Sequence, residues 1–318
     1  MIDFRYHLVS IVSIFLALAV GIVLGAGPLK EDLGNTLTRE LTQLRQDKTG
    51  LRADLTAAQR GIGARDTWAE QVSPRVVAGT LTGKTVAVVV APGADGGVVK
   101  DTVATLAAAG AKVGSTVTLS EAWVDPDKRT FRNNLAGQLA TLVKVPGGAS
   151  SPDQLPGAVL SRAILAGSDA ATDRLTPEAN QALDGLRTGG LVDVSPEQIT
   201  PSSSVVLVGG PVKGATAEDT ASRVADYVQL ARSLDSAGSG ALVVTPTTPG
   251  DPTTSGQLVA AVRQDGAASK TVSTVDDANL PMGLTTVVQA LAEQYAGGVG
   301  QYGLAGDAKA VLPEPAQR

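Results

Sequence analysis

"KTVAVVVAP", Lys84–Pro92, holds seven consecutive uncharged, mostly β-branched residues between a lysine and a proline. A half-exposed strand would alternate apolar and polar residues, so an unbroken run of this length reads as a strand covered on both faces. The Gly-rich turn Pro92-Gly93-Ala94-Asp95-Gly96-Gly97 follows, then the helical "VVKDTVATLAAAG" and a second strand, "AKVGSTVTL". That is a βαβ unit. The alternation returns in "SSVVLVGG", "AEDTASRVADYVQLARSLDS", "GALVVTP", "SGQLVAAVRQDG", "KTVSTVD" and "LTTVVQALAEQY". Five strands with intervening helices predict an α/β fold with a mainly parallel, doubly wound, Rossmann-like sheet. Between Phe131 and Asp193, "FRNNLAGQLATLV", "GAVLSRAIL" and "TPEANQALDGLRTGG" predict a helical insertion on the same domain.

Ligands of such sheets bind in turns at the carboxyl ends of strands. Here the weak crevice candidates are Gly93, Gly96 and Gly97 after the first strand, and Gly209, Gly210 and Lys213 after a later one. Neither turn matches G-x-G-x-x-G or a P-loop, each contains a proline that lacks a donor, and Asp95 repels phosphate. Tight turns without ligand are the better reading. Asp125 with Asp127, or Asp276 with Asp277, could bind a hard cation, but surface-loop acids usually bind only water.

Toward the N-terminus lies a heptad pattern. With Leu37, Leu44, Leu51 and Ala58 at d, the a positions are Leu41, Lys48, Leu55 and Ile62. The predicted interface is therefore Leu37, Leu41, Leu44, Leu51, Leu55 and Ile62, with Lys48 weakening the seam while fixing its register. A modest parallel dimer or a partner-binding helix fits this pattern; an amphipathic helix packed on its own domain is the alternative. Gly61, Gly63 and the polar stretch to Ser73-Pro74 read as a joint, with Trp68 as a core or interface anchor.

Upstream again, "LVSIVSIFLALAVGIVLGAG" (Leu8–Gly27) contains no charge. About 20 residues rising about 1.5 Å each cross the roughly 30 Å hydrocarbon layer. Gly25, Ala26 and Gly27 offer the small residues of a signal-peptide cut, but the run is too long for an h-region and Pro28 fits poorly after a scissile bond. A retained anchor is expected. Arg5 and the α-amino group before the run favour a cytoplasmic N-terminus and an extracytoplasmic remainder. Ala17, Gly21 and Gly25 recur every four residues and form a close-packing face within the span.

The expected layout is a cytoplasmic tail (1–7), a transmembrane helix (8–27), a coiled coil (28–63), a linker (64–80), an extracytoplasmic α/β domain (81–303) and a flexible tail (304–318). Composition then narrows the chemistry. The chain has no Cys and one His, His7, before the span. Ser-His-Asp and Cys-His nucleophiles and the common zinc sites are thereby excluded beyond it. A net charge of −5 without a basic, aromatic-laced patch gives nucleic acid no footing. No catalytic residue, metal site or cofactor is assigned.

"DFRYHLVSIVSIFLALAVGIVLGAG" at the N-terminus, the heptad helix, the α/β region and the closing "GGVGQYGLAG…VLPEP" resemble the actinobacterial copper transporter MctB family over nearly the whole chain. The most specific parts are Val9–Gly25 and the ending from Gln301 to Pro313. The family name implies copper export or a channel. Its SteB branch implies cell separation, with a membrane partner, SteA, and control of a peptidoglycan hydrolase. Copper(I) takes thiolate, thioether or imidazole ligands, and beyond the span the chain offers only Met282. One apolar helix conducts nothing unless it oligomerises, and βα alternation does not build a membrane barrel. The expectation is a non-enzymatic envelope protein, a homodimer or a heteromer with a SteA-like membrane protein, indirectly linked to a peptidoglycan hydrolase. Copper homeostasis is the alternative, and an envelope receptor for a small anion is the third reading.

Overall fold

The computed structural model describes residues 4–26, 28–145, 151–166, 174–196, 199–248, 250–251, 254 and 256–314, with backbone alone at 26 and 28–36. The chain divides into two units, Met1–Arg65 and Asp66–Arg318.

The first unit is helical, made of α1 (Phe4–Ala26) and the part of α2 (Pro28–Val77) up to Arg65. α1 contains an apolar stretch, Phe4–Gly25, long enough to cross a membrane. All its described side chains are exposed, and the Ser13 hydroxyl is satisfied internally by Val9 O at 2.8 Å. α2 is rich in Leu, Arg, Gln, Ala and Glu, all good helix formers. Thr42, Thr49 and Thr56 recur every seven residues on the face turned away from the leucines, and each hydroxyl bonds the carbonyl four residues back, at 2.7–2.8 Å.

The second unit is built on a seven-stranded sheet in the order β3-β2-β1-β4-β5-β6-β7. Its strands are β1 (Thr85–Val90), β2 (Lys112–Leu119), β3 (Val192–Ser195), β4 (Ser204–Val208), β5 (Ala241–Val244), β6 (Ser273–Val275) and β7 (Gln301–Tyr302). All neighbours are parallel except β3, which runs antiparallel to β2. The helices are α3 (Gly96–Ala108), α4 (Arg129–Ala140), α5 (Leu155–Ile164), α6 (Pro177–Thr188), α7 (Ala217–Ala237), α8 (Gln257–Gln264) and α9 (Pro281–Tyr295).

Period-two alternation sends successive side chains to opposite faces. Ala87, Val89, Val205, Leu207 and Val243 meet Leu160, Ile164, Leu230, Leu234 and Leu258 of α5, α7 and α8. Val86, Val88, Val206, Val208 and Val244 meet Leu106 of α3 and Val287 and Leu291 of α9. The doubly wound α/β expectation is correct, and the segment from Phe131 supplies α4, α5 and α6.

Several local expectations need correction. The region 64–80 is helical through Val77, because Val77 and Leu81 are buried with Leu106 and Leu291, and Ser73 Oγ accepts a hydrogen bond from Thr285 Oγ1 of α9 at 2.7 Å. Trp68 is 64% exposed, which removes the core half of the core-or-interface reading, and Trp123, 2% exposed, is the tryptophan in the core. β3 and β7, only four and two residues long, add to the expected five strands.

The tail is also tied down through its described part. Arg263, at the end of α8, has a side chain only 4% exposed. Its Nε donates to Thr274 Oγ1 at 2.9 Å, Nη2 to Tyr302 O at 2.7 Å and Nη1 to Asp307 Oδ1 at 2.7 Å. Asp276 Oδ2 lies 2.8 Å from Nη2 as an ion pair, while Asp276 Oδ1 accepts from the backbone of Leu304 and Ala305 at 2.8 and 3.2 Å. Gly303 (φ +134) lies so close that an added Cβ would strike the Asp276 carboxylate. Asp276 and Asp277 are thus buried groups rather than surface acids.

Neither Asp277 oxygen has a hydrogen-bond partner among the described residues. Burial, reinforced by the neighbouring Asp276 charge, pushes its carboxyl up to about 7. In the unfolded chain the same group titrates near 4. Between those values the folded protein holds a proton that the unfolded chain has lost, so this group stabilises the fold at low pH and its contribution fades as pH rises through about 7. In thermal unfolding of the detergent-solubilised chain, Asp277→Asn should flatten the fall in melting temperature between pH 5 and 8; an unchanged slope refutes the assignment. Arg263→Ala leaves Asp276 charged and buried without its cation, and chemical denaturation should register a loss of about 3–5 kcal/mol.

Candidate functional site

Two surfaces gather the residues singled out in the sequence. The first is the heptad face of α2. Leu37, Leu41, Leu44, Leu51, Leu55 and Ile62 are 52–69% exposed, so none is buried by the chain itself. Such a row of large apolar side chains on a helix otherwise rich in charged and polar residues has the composition of an association seam. In α1, a Cβ added to Gly21 or Gly25 would meet nothing within 4 Å, so the chain itself imposes no steric demand for glycine there. Ala17 stands on the same face, about one and two turns before them.

The second surface is the crevice where the sheet reverses its winding. β1 leads to β2 on one side, while the neighbouring β4 leads to β5 on the other, so the loops after β1 and β4 open a switch point at their carboxyl ends. Gly93 turns with φ +72, and Gly210 packs directly against this loop: an added Cβ would lie 2.5 Å from both Pro92 O and Ala94 N.

Several backbone donors of these loops are already committed. Asp95 Oδ1 accepts from Gly97 N at 2.8 Å and Val98 N at 3.1 Å, capping α3 with the chain's own carboxylate. Gly209 N bonds Val244 O, and Val212 N bonds Gln257 Oε1 at 2.9 Å. Gly214 N bonds Thr220 Oγ1, Ala215 N bonds Asp219 Oδ2, and Thr216 caps α7. A phosphate cradle requires several convergent free N–H groups. These loops spend several of theirs internally.

Beside the loops remains a cleft of about 250 Å³. Of the six crevice candidates, Gly93 and Lys213 line it; Gly96, Gly97, Gly209 and Gly210 do not. The sequence reading missed Glu121, after β2, and Arg223 and Tyr227 of α7, all three of which line the same cleft. Arg223 Nε donates to Asp219 Oδ1 at 3.0 Å, and its Nη1 lies 4.0 Å from Glu121 Oε2. The Ala215 N–H, followed by the Arg223 guanidinium, holds the Asp219 carboxyl below the usual range. The Asp125 carboxylate accepts from Asp127 N in its own turn at 3.0 Å.

Metal chemistry has little to work with. Among the described residues, no group of three or more His, Cys, Asp or Glu stands close enough to hold an ion. Met282, the single described thioether, lies half-buried at the start of α9.

Comparison with known proteins adds a family to this geometry. The sequence model described as "Copper transport outer membrane protein, MctB" matches residues 1–313. Copper transporter MctB of Mycobacterium tuberculosis (strain ATCC 25618 / H37Rv) is 29% identical over 317 residues, covering 95% of this chain and 96% of that protein. Copper transporter MctB of Mycobacterium leprae (strain TN) is 26% identical over 320 residues, 96% of each. From the apolar helix at one end to the Arg263-bound ending at the other, the match is continuous, and the chain belongs to the MctB family.

Proposed function

We propose that this protein is a non-enzymatic, single-pass scaffold of the cell envelope that acts by coiled-coil association. The observation that carries the reading is the exposed seam from Leu37 to Ile62. Covering each of these side chains in a partner helix returns on the order of 2 kcal/mol, enough in sum to overcome the Lys48 penalty. The seam pairs with a second copy or with a SteA-like membrane partner, and through that partner bears on a peptidoglycan hydrolase during cell separation. α1 anchors the chain in the cytoplasmic membrane with its N-terminus inside, and the small-residue face at Ala17, Gly21 and Gly25 supports helix pairing there.

Copper transport is the second reading, favoured by the names of the relatives. Against it stands donor chemistry: copper(I) sites are built from sulfur and imidazole, and this sequence has no Cys, one His and two Met.

A periplasm-active reporter fused after Arg318 should be active, and the protein should stay with the cytoplasmic membrane through carbonate extraction. Release of a soluble form beginning near Pro28 would contradict the anchor. Replacing both Leu44 and Leu51 by Asp places charges where the seam would desolvate them. Crosslinking should then lose the associated species, while melting of the α/β unit, which has its own core, shifts little. Cells carrying the double change should separate poorly at unaltered copper tolerance. Normal separation and association would refute the scaffold, and lost copper tolerance with normal separation would favour transport.

A further inference from the structure

We propose that the cleft at the β1/β4 switch point is a binding site for a small organic carboxylate, received by Arg223, Lys213 and Tyr227. The proposal is independent of the seam on α2.

Arg223 is prepared for such a ligand. Asp219 holds the guanidinium by its Nε edge at 3.0 Å, and the side chain is only 17% exposed. Neither terminal nitrogen donates a hydrogen bond among the described residues; the Glu121 contact at 4.0 Å is an ion pair without one. A guanidinium fixed on one edge with its terminal fork unfilled matches the two oxygens of a carboxylate. Lys213, on the opposite loop, makes neither ion pair nor hydrogen bond among the described residues and lines the same cleft. Tyr227 is 2% exposed, yet its hydroxyl also lacks a hydrogen-bond partner among them. These three side chains therefore line one space with donors that no described residue takes.

The remaining walls decide the ligand class. Pro92, Val124, Pro211 and Val212 supply apolar surface. Five backbone donors of these loops, at Gly97, Val98, Val212, Gly214 and Ala215, are taken by Asp95, Gln257, Thr220 and Asp219, which leaves less for a phosphate. Glu121 on the rim disfavours a second negative charge. About 250 Å³ lies just below the range of drug-sized pockets, so the occupant is small. A singly charged carboxylate on a compact apolar body satisfies all of these limits.

Saturation-transfer difference NMR on the detergent-solubilised full chain tests this, with benzoate as the probe and inorganic phosphate as competitor at constant ionic strength. Benzoate should give a saturable signal that phosphate fails to displace. Arg223→Lys keeps the charge but loses the fork, and should weaken binding about tenfold or more. Because that change also disturbs the Asp219 pair, Lys213→Ala provides a second arm at an exposed position; it should weaken binding severalfold without moving the melting temperature. Lys100→Ala, on α3 and outside the cleft lining, should leave binding unchanged. Non-saturable benzoate binding, or binding indifferent to both Arg223→Lys and Lys213→Ala, overturns the site. Displacement by phosphate at concentrations comparable to benzoate overturns the carboxylate assignment.

Discussion

The α/β unit depends on covering both faces of β1 and β4 at once. Val86–Val90 and Val205–Val208 are almost entirely buried, with no residue of either run more than 9% exposed. Strands of this kind are insoluble alone, so every helix of the unit is committed to one face or the other. α3 and α9 take one face; α5, α7 and α8 take the other, with α4 and α6 packed beyond α5. The winding reversal that places α3 and α7 on opposite sides is also what opens the cleft between their loops.

What the sequence discloses follows from how strongly each element depends on its own residues. The strand runs Thr85–Val90, Ser204–Val208 and Ala241–Val244 are legible because continuous β-branched residues have few other uses. The heptad of α2 is legible because it repeats. β7 escaped because two residues carry no period, and it exists only through Arg263, Gln301 and Asp276, which the fold brings together. The helical stretch through Val77 escaped because Gly61, Gly63 and Pro74 read as breakers, whereas burial of Val77 and Leu81 overrides them. In the cleft, Lys213 and Gly93 stand in recognisable turns. Arg223 and Tyr227 sit inside an ordinary amphipathic helix, where only the fold separates a cleft-facing position from a core-facing one.

The family-specific ending has a structural explanation. Gln301 Nε2 donates to Ser269 O and Val272 O, and its Oε1 accepts from Thr274 Oγ1 at 2.6 Å. Tyr302 donates its hydroxyl to Glu293 Oε2 at 2.6 Å, and its carbonyl receives Arg263. Gly303 leaves room for Asp276. Each residue of Gln301-Tyr302-Gly303 thus closes the sheet at β7. The role these contacts give the ending is assembly of the fold.

The two rims of the sheet carry a further consequence. An exposed strand edge is a template for pairing with another chain, and proteins blunt such edges with short strands, charge or covering segments. β3 is four residues long, runs against its neighbour and exposes Asp193; β7 is two residues long and is overlaid by the return of the chain, where Gly303 N meets Ala310 O at 3.0 Å. Neither rim offers the ladder of free amides and carbonyls that feeds fibril growth. Blunted edges of this kind let copies of a chain crowd together without zipping backbone to backbone.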